Sequence, residues 1–283
     1  MKYVLAGVLA GLAGVAGAAG HEGGWTLEGF ETPESAYYEA GTDQIVVSNI
    51  ATFGPDGGMD GYLSLVSPGG EMVQKDWVTG LMDPKGMAAM DGKLYVADAM
   101  GLHVVDIAGG AVDETITLEG AMFPNDVAIG SDGAVYVTDM FGGAVYKVMD
   151  GAAEVFVPAG TMALPNGIWA QDDRLVVGSM GEEWLMEQGQ INGAGQLYAV
   201  DYGSAEVTTL PGAEETGAID GIVEIGGKLI FSDNPTGEIV AYDGEGLETL
   251  ATTEPGAGDI GMMGEMVLVP FLQGGKVMAM PVN

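Results

Sequence analysis

FPNDVAIGSDGAVYVTDMFGGAVYKVMDGAAEVFVP, residues Phe123 to Pro158, decides the fold of this chain. Pro124-Asn125-Asp126 reads as a turn and Val127-Ala128-Ile129 as a short strand. Ser131-Asp132-Gly133 is a hairpin turn in which Gly can supply positive φ. Ala134 to Thr138 sets Val135 and Val137 on one face and Tyr136 on the other, the two-residue period of a strand. Ala144 to Met149 and Glu154 to Val157, separated by Asp150-Gly151, supply a third and a fourth strand. Four short strands joined by tight turns in so few residues make one propeller blade.

The same pattern recurs along the chain. TPESAYYEAGTDQIVVSN, DPKGMAAMDGKLYVAD, LPNGIWAQDDRLVVGS, AIDGIVEIGGKLIFSD and AGDIGMMGEMVLVP repeat its first half. The aligned polar residues are Glu34, Lys85, Asn125, Asn166, Asp220 and Asp259, spaced about 45 residues apart, as blades are. No segment sustains a helical period, and the 49 glycines suit a chain with many tight turns. The expected fold is all-β, a six-bladed β-propeller of four-stranded antiparallel blades. The last copy is too short for four strands, whereas Trp25 to Phe30 has no blade of its own. That N-terminal segment is therefore predicted to complete the last blade and close the ring, hiding two sheet edges. Two blades carry insertions, Phe53 to Tyr62 and Met180 to Gly195, both on the side of the aligned polar residues. Trp184, Leu185 and Met186 in the second are expected to pack on a neighbouring blade in preference to forming a lid.

Residues 1–20 differ in kind: Lys2, an apolar Ala/Gly/Leu/Val run, then small residues. They read as a secretory signal peptide with cleavage after Ala18 or slightly later, leaving 21–283 as one propeller domain that is periplasmic or secreted. The 283-residue chain has no cysteine, so its stability must come from its core. Eight basic residues stand against 41 acidic ones, a net charge of −33. That balance disfavours nucleic acid and anionic membranes as partners, leaving a small-molecule substrate or ligand and a monomeric protein as the expectation.

A propeller brings its equivalent loops to one central mouth. Glu34, Asn125, Asn166 and Asp220 there offer two carboxylates and two amides, a donor set for a hard cation. Histidine occurs only at His21 and His103, which disfavours a nitrogen-rich zinc site. His103 lies in an alternating strand and reads as packing. Asp98, Asp139 and Asp233, at the ends of second strands, read as turn caps. Asp259 is the least secure of the six aligned positions.

Four of these motifs, Glu34 in TPESAYY, Asn125-Asp126 in FPNDVAIGSDG, Asn166-Gly167 in LPNGIWAQDD and Asp220-Gly221 in IDGIVEIGGK, occur in the order and spacing of a known family. The chain resembles the six-bladed propellers of the gluconolactonase, senescence-marker-protein and luciferin-regenerating-enzyme family. The resemblance implies that Glu34, Asn166 and Asp220 bind one divalent metal, with Asn125 as a further ligand or a substrate contact, and that Asp220 is the general base. The cation expected is Ca²⁺, with Zn²⁺, Mg²⁺ or Mn²⁺ as alternatives. The chain's one arginine, Arg174, sits in a hairpin turn, and Lys85 faces the mouth instead. Asp220, with Asp126 and Lys85 as supporting candidates, is the catalytic set for metal-dependent hydrolysis of a lactone or related ester. The alternative is a non-enzymatic propeller that binds a small ligand or a protein, its metal structural.

Overall fold

A computed structural model describes residues 23–54, 56–185 and 190–282. The signal-peptide reading of residues 1–20, His21 and Met186 fall outside these residues. Strand β1 (Trp25–Glu28) comes first, and six sheets follow around a central axis. Blade 1 is β2 (Pro33–Glu39), β3 (Gln44–Asn49), β4 (Gly61–Val66) and β5 (Met72–Leu81). Blade 2 is β6 (Met87–Met90), β7 (Lys93–Asp98), β8 (Gly101–Asp106) and β9 (Ala111–Ile116). Blade 3 is β10 (Pro124–Ile129), β11 (Val135–Asp139), β12 (Ala144–Met149) and β13 (Ala152–Val157). In blade 4, β14 (Pro165–Ala170) and β15 (Arg174–Ser179) precede an inserted hairpin, β16 (Glu183–Leu185) and β17 (Gln190–Asn192). The blade resumes with β18 (Leu197–Asp201) and β19 (Val207–Thr209). Blade 5 is β20 (Ile219–Ile225), β21 (Lys228–Asp233), β22 (Glu238–Tyr242) and β23 (Leu247–Thr252). Blade 6 has β24 (Gly261–Met263), β25 (Met266–Phe271) and β26 (Lys276–Pro281).

The N-terminal strand closes the ring. β1 runs antiparallel to β26, Trp25 opposite Ala279 and Glu28 opposite Lys276, and becomes the outer strand of blade 6. Trp25 Nε1 donates to the carbonyl of Pro68 at 3.0 Å, tying the strand to blade 1. Its indole lies where a Cβ on Gly70 would come within 2.5 Å of the ring.

The turns follow from residue chemistry. Asp91-Gly92, Asp150-Gly151 and Gly226-Gly227 each form a two-residue hairpin with both residues at positive φ, the type I′ geometry that Asp-Gly and Gly-Gly favour. Alternation along the strands then fills both faces of every blade. Val135 and Val137 pack toward blade 2, while Ala134 and Tyr136 pack toward blade 4. The core is accordingly a set of wedges between successive blades rather than one central mass. Between the inner strands a cavity remains along the axis.

Candidate functional site

Four of the six inner strands, β2, β10, β14 and β20, begin with the same irregularity. The register slips by one residue between Pro33 and Ala36, Pro124 and Val127, Pro165 and Ile168, and Ile219 and Ile222. These bulges unpair Glu34, Asn125, Asn166 and Asp220 from their own sheets and turn them to the axis, a recurrent use of bulges beside functional sites. Two devices hold the bulge. The hydroxyls of Ser48, Thr138 and Ser232 accept the N–H of Ser35, Asp126 and Gly221 at 2.9–3.0 Å. Thr138 and Ser232 also donate to the carbonyls of Asn166 and Gly258 in the following blade, at 2.7 and 2.8 Å. Just outside, Asp139 takes the N–H groups of Met122 and Phe123 at 3.0 and 2.7 Å, fixing the chain as it enters β10. The strand-end carboxylates expected to cap turns therefore also position the ring.

Glu34, Lys85, Asn125, Asn166 and Asp220 are brought together at one end of the axis, each only 1–4% exposed. Met140 lies between the two amides: Asn125 Nδ2 and Asn166 Nδ2 donate to its sulfur at 3.9 and 3.7 Å. That fixes the amide orientations and leaves Asn125 Oδ1 and Asn166 Oδ1 buried with no hydrogen-bond partner. Glu34 Oε2 is a third buried oxygen without a partner. Asp220 Oδ2 accepts from Asn234 Nδ2 at 2.7 Å. A buried polar atom left unpaired costs about 1–3 kcal/mol, so three acceptors orphaned in one ring call for an electropositive occupant. The donor set, two carboxylates and two amide oxygens, suits a hard divalent cation. Among the described residues no group of three or more His, Cys, Asp or Glu is arranged to hold a metal. The amide oxygens are thus needed to make up the set.

The electrostatics point the same way. Burial pushes Asp220 up to about 7, against the amides of Asn234 and Asn166 that hold it down. Burial raises Glu34 well above the usual carboxylate range, aided by the charges of Asp220 and Asp126 and opposed by Lys85. Lys85 is pushed down by burial, against the pull of Glu34, Asp83 and Asp98. Its Nζ donates to the backbone carbonyl of Asp83 at 2.7 Å and stands 4.4 Å from the centre of the Phe123 ring. The lysine is thus held as a buried counter-charge, rather than standing free in an open mouth.

A second tier lies beneath the ring. Asp126 Oδ1 accepts the N–H of Val127 and Oδ2 that of Ile168, both at 2.7 Å, and burial pushes the group up to about 7. Asp259 belongs to this tier. Ala257 faces Phe271 as Pro124 faces Asp139, so Gly258 is the blade 6 equivalent of Asn125, and Asp259 matches Asp126. Sequence alignment had set Asp259 in the upper ring, one position out, because AGDIG offers no other polar residue. Ser35 Oγ donates to Asp259 Oδ2 at 2.5 Å. Glycines make room: a Cβ on Gly86 would lie 2.2 Å from Asp126 Oδ1, and one on Gly221 2.4 Å from Asp259 Oδ1.

Sequence reasoning missed Met140 and Asn234. Both stand one residue after the end of a second strand, a position as regular as the ring's own, so the signal was blade alignment carried one loop further. It also missed the partner of His103, whose Nε2 is 2.5 Å from Asp98 Oδ2 and whose Nδ1 is 2.7 Å from Thr115 Oγ1. The roof over the ring is apolar. Phe123 stacks on Phe141 at 4.6 Å, and Phe141 lies 6.0 Å from Trp184 of the inserted hairpin. Trp184 thus meets the blade 3 loop at the edge of this roof.

No protein-family model matches the chain, and no curated protein does. Solved structures do. A gluconolactonase from Xanthomonas campestris superposes with a TM-score of 0.70 at 18% identity, over 92% of this chain and 89% of that one. A streptogramin B lyase gives 0.64 at 12% identity, over 92% and 98%. A structure of a nidogen–laminin complex gives 0.59 at 16%, over 80% and 81%. At these identities the likeness establishes the propeller fold.

Proposed function

We propose that this chain is an exported, metal-dependent hydrolase of a lactone or related ester, akin to the gluconolactonase group. The divalent cation, Ca²⁺ in first place, would be held by Glu34, Asn125, Asn166 and Asp220. The observation that carries the reading is the convergence of three partnerless buried oxygens beside a carboxylate pushed up to about 7. A bound cation would supply Lewis-acid polarisation of the ester carbonyl.

The rest falls to the chain's own side chains. Asp220 is poised near neutrality, where a general base both holds enough of its ionised form and gains from taking a proton. Asn234 pins its Oδ2 and so orients Oδ1. In this proposal Asp220 takes the proton of the attacking water. Asp126 is the weaker candidate, because both of its oxygens already hold backbone N–H groups. Lys85 offsets part of the excess negative charge next to Glu34. The apolar roof of Phe123, Met140 and Phe141 excludes bulk water, strengthening every charge interaction below it.

The roof also favours a second reading, in which the cation is structural and the propeller binds a ligand or protein elsewhere. The two separate on a panel of aliphatic, aromatic and sugar lactones and their ester counterparts. Turnover that requires Ca²⁺ and is lost in Asp220→Asn supports the hydrolase. Ca²⁺ binding with no turnover on any of them supports the structural cation.

A further inference from the structure

We propose that the axial shaft below the ring is a separate binding site for a hydrophobic ammonium compound, entered from the face opposite the mouth. The shaft is a cavity of about 470 Å³. None of the five ring residues lines it, and its far end is bounded by Ala40 and Gly264, in the hairpins that close β2 to β3 and β24 to β25. Inner strands run from the ring to these hairpins, so the cavity opens on the other side of the molecule.

Its walls and its floor differ. Tyr37, Ile129, Trp169, Ile222 and Met262 make the wall largely apolar and partly aromatic. Asp126 and Asp259 sit at the ring end, the deepest point. Asp259 is only 6% exposed. Ser35 satisfies its Oδ2, and no donor among the described residues reaches Oδ1. The lining includes no Lys, Arg or His; burial, with the charges of Asp126 and Glu34, raises Asp259 well above the usual carboxylate range, so a cation entering the shaft would favour its ionised form. A buried carboxylate with an open acceptor, at the end of an apolar shaft, is matched by a cationic donor on an apolar body. Aromatic walls suit an ammonium further. The field of a chain carrying −33 draws cations and repels anions. Sugars and carboxylates lack the match, since the wall offers few polar partners and the floor holds two acids and no base.

The site does not depend on a cation at the mouth, and the test keeps the two apart. Binding of 2-phenylethylamine and of its neutral analogue 2-phenylethanol is measured by titration calorimetry on the full domain, in chelator and again in Ca²⁺. The amine is expected to bind about 10-fold or more tighter than the alcohol, in chelator and in Ca²⁺ alike. Asp259→Asn is expected to reduce the amine to the affinity of the alcohol. Ala89→Trp, which adds bulk to the shaft wall, is expected to weaken both ligands and serves if the Asp259 variant fails to fold. Equal affinity for alcohol and amine, no binding of either, binding only in Ca²⁺, or binding unchanged in Ala89→Trp would each overturn the proposal.

Discussion

Replacing Asp220 by Asn should make the metal-free protein more stable. The carboxylate is 4% exposed and pushed from an ordinary 3.8 to about 7, mainly by burial. A carboxylate raised in the folded state binds its proton more tightly there than in the unfolded chain. Its penalty is therefore absent below about pH 4, grows as pH rises, and is complete above about pH 7. Three pKa units at about 1.4 kcal/mol each give a full penalty of roughly 4 kcal/mol. Asn is isosteric, keeps a partner for Asn234 after an amide flip, and carries no charge. For a domain of this size each kcal/mol is worth ~2–4 °C, so Asp220→Asn should melt roughly 8–16 °C higher at pH 8 in chelator. The gain should shrink steadily as pH falls and vanish near pH 4. In saturating Ca²⁺ the order should reverse, because wild type gains a bound ion and the variant does not. The assay is a set of melting curves across pH, with chelator and with Ca²⁺. An Asp220→Asn protein that melts with wild type at pH 8 in chelator would refute the argument. So would a gain that does not change with pH.

Three further outcomes follow from the site. Met140→Leu conserves volume and should cost less than about 1.5 kcal/mol in stability. It removes the sulfur that orients Asn125 and Asn166, so Ca²⁺ affinity should fall ~5–10-fold in a titration. Gly221→Ala puts a Cβ 2.2 Å from the backbone nitrogen of Ile260, where nothing flexible can yield. It should destabilise by about 1–3 kcal/mol or more in denaturant unfolding. The charge of −33 should make the melting temperature climb with KCl, since the screening length falls from roughly 10 Å at 0.1 M to about 3 Å at 1 M. A melting point flat across that range would remove self-repulsion from the account.

Much of this was legible in the residues themselves. The blade repeat could be read because several hairpin turns announce themselves as Asp-Gly or Gly-Gly and the strands between them alternate. The N-terminal closing strand followed from counting, one strand missing at one end and one spare at the other. Glu34, Asn125, Asn166 and Asp220 could be picked out because each occupies the same place at the head of an inner strand in the blade repeat. Asp259 was misplaced by one step, because Gly258 occupies the ring position in blade 6 and leaves no side chain to align. Met140 and Asn234 stayed hidden because a Met or an Asn in a loop signals nothing until the ring it touches is known. The Asp98–His103 contact crosses a tight β7–β8 connection, with Asp98 paired to Gly101, which brings residues five apart into contact. An alternating pattern alone reports which face His103 lies on, and not what it meets there.

The ring is proposed to bind one divalent cation through oxygens otherwise left unpaired. Titration calorimetry of Ca²⁺ into chelator-stripped protein, wild type beside Glu34→Gln, tests it most directly. One ion bound per wild-type chain, with affinity lost or cut at least tenfold in the variant, is the predicted result. No heat with wild type, or the same site and affinity in both proteins, would contradict it.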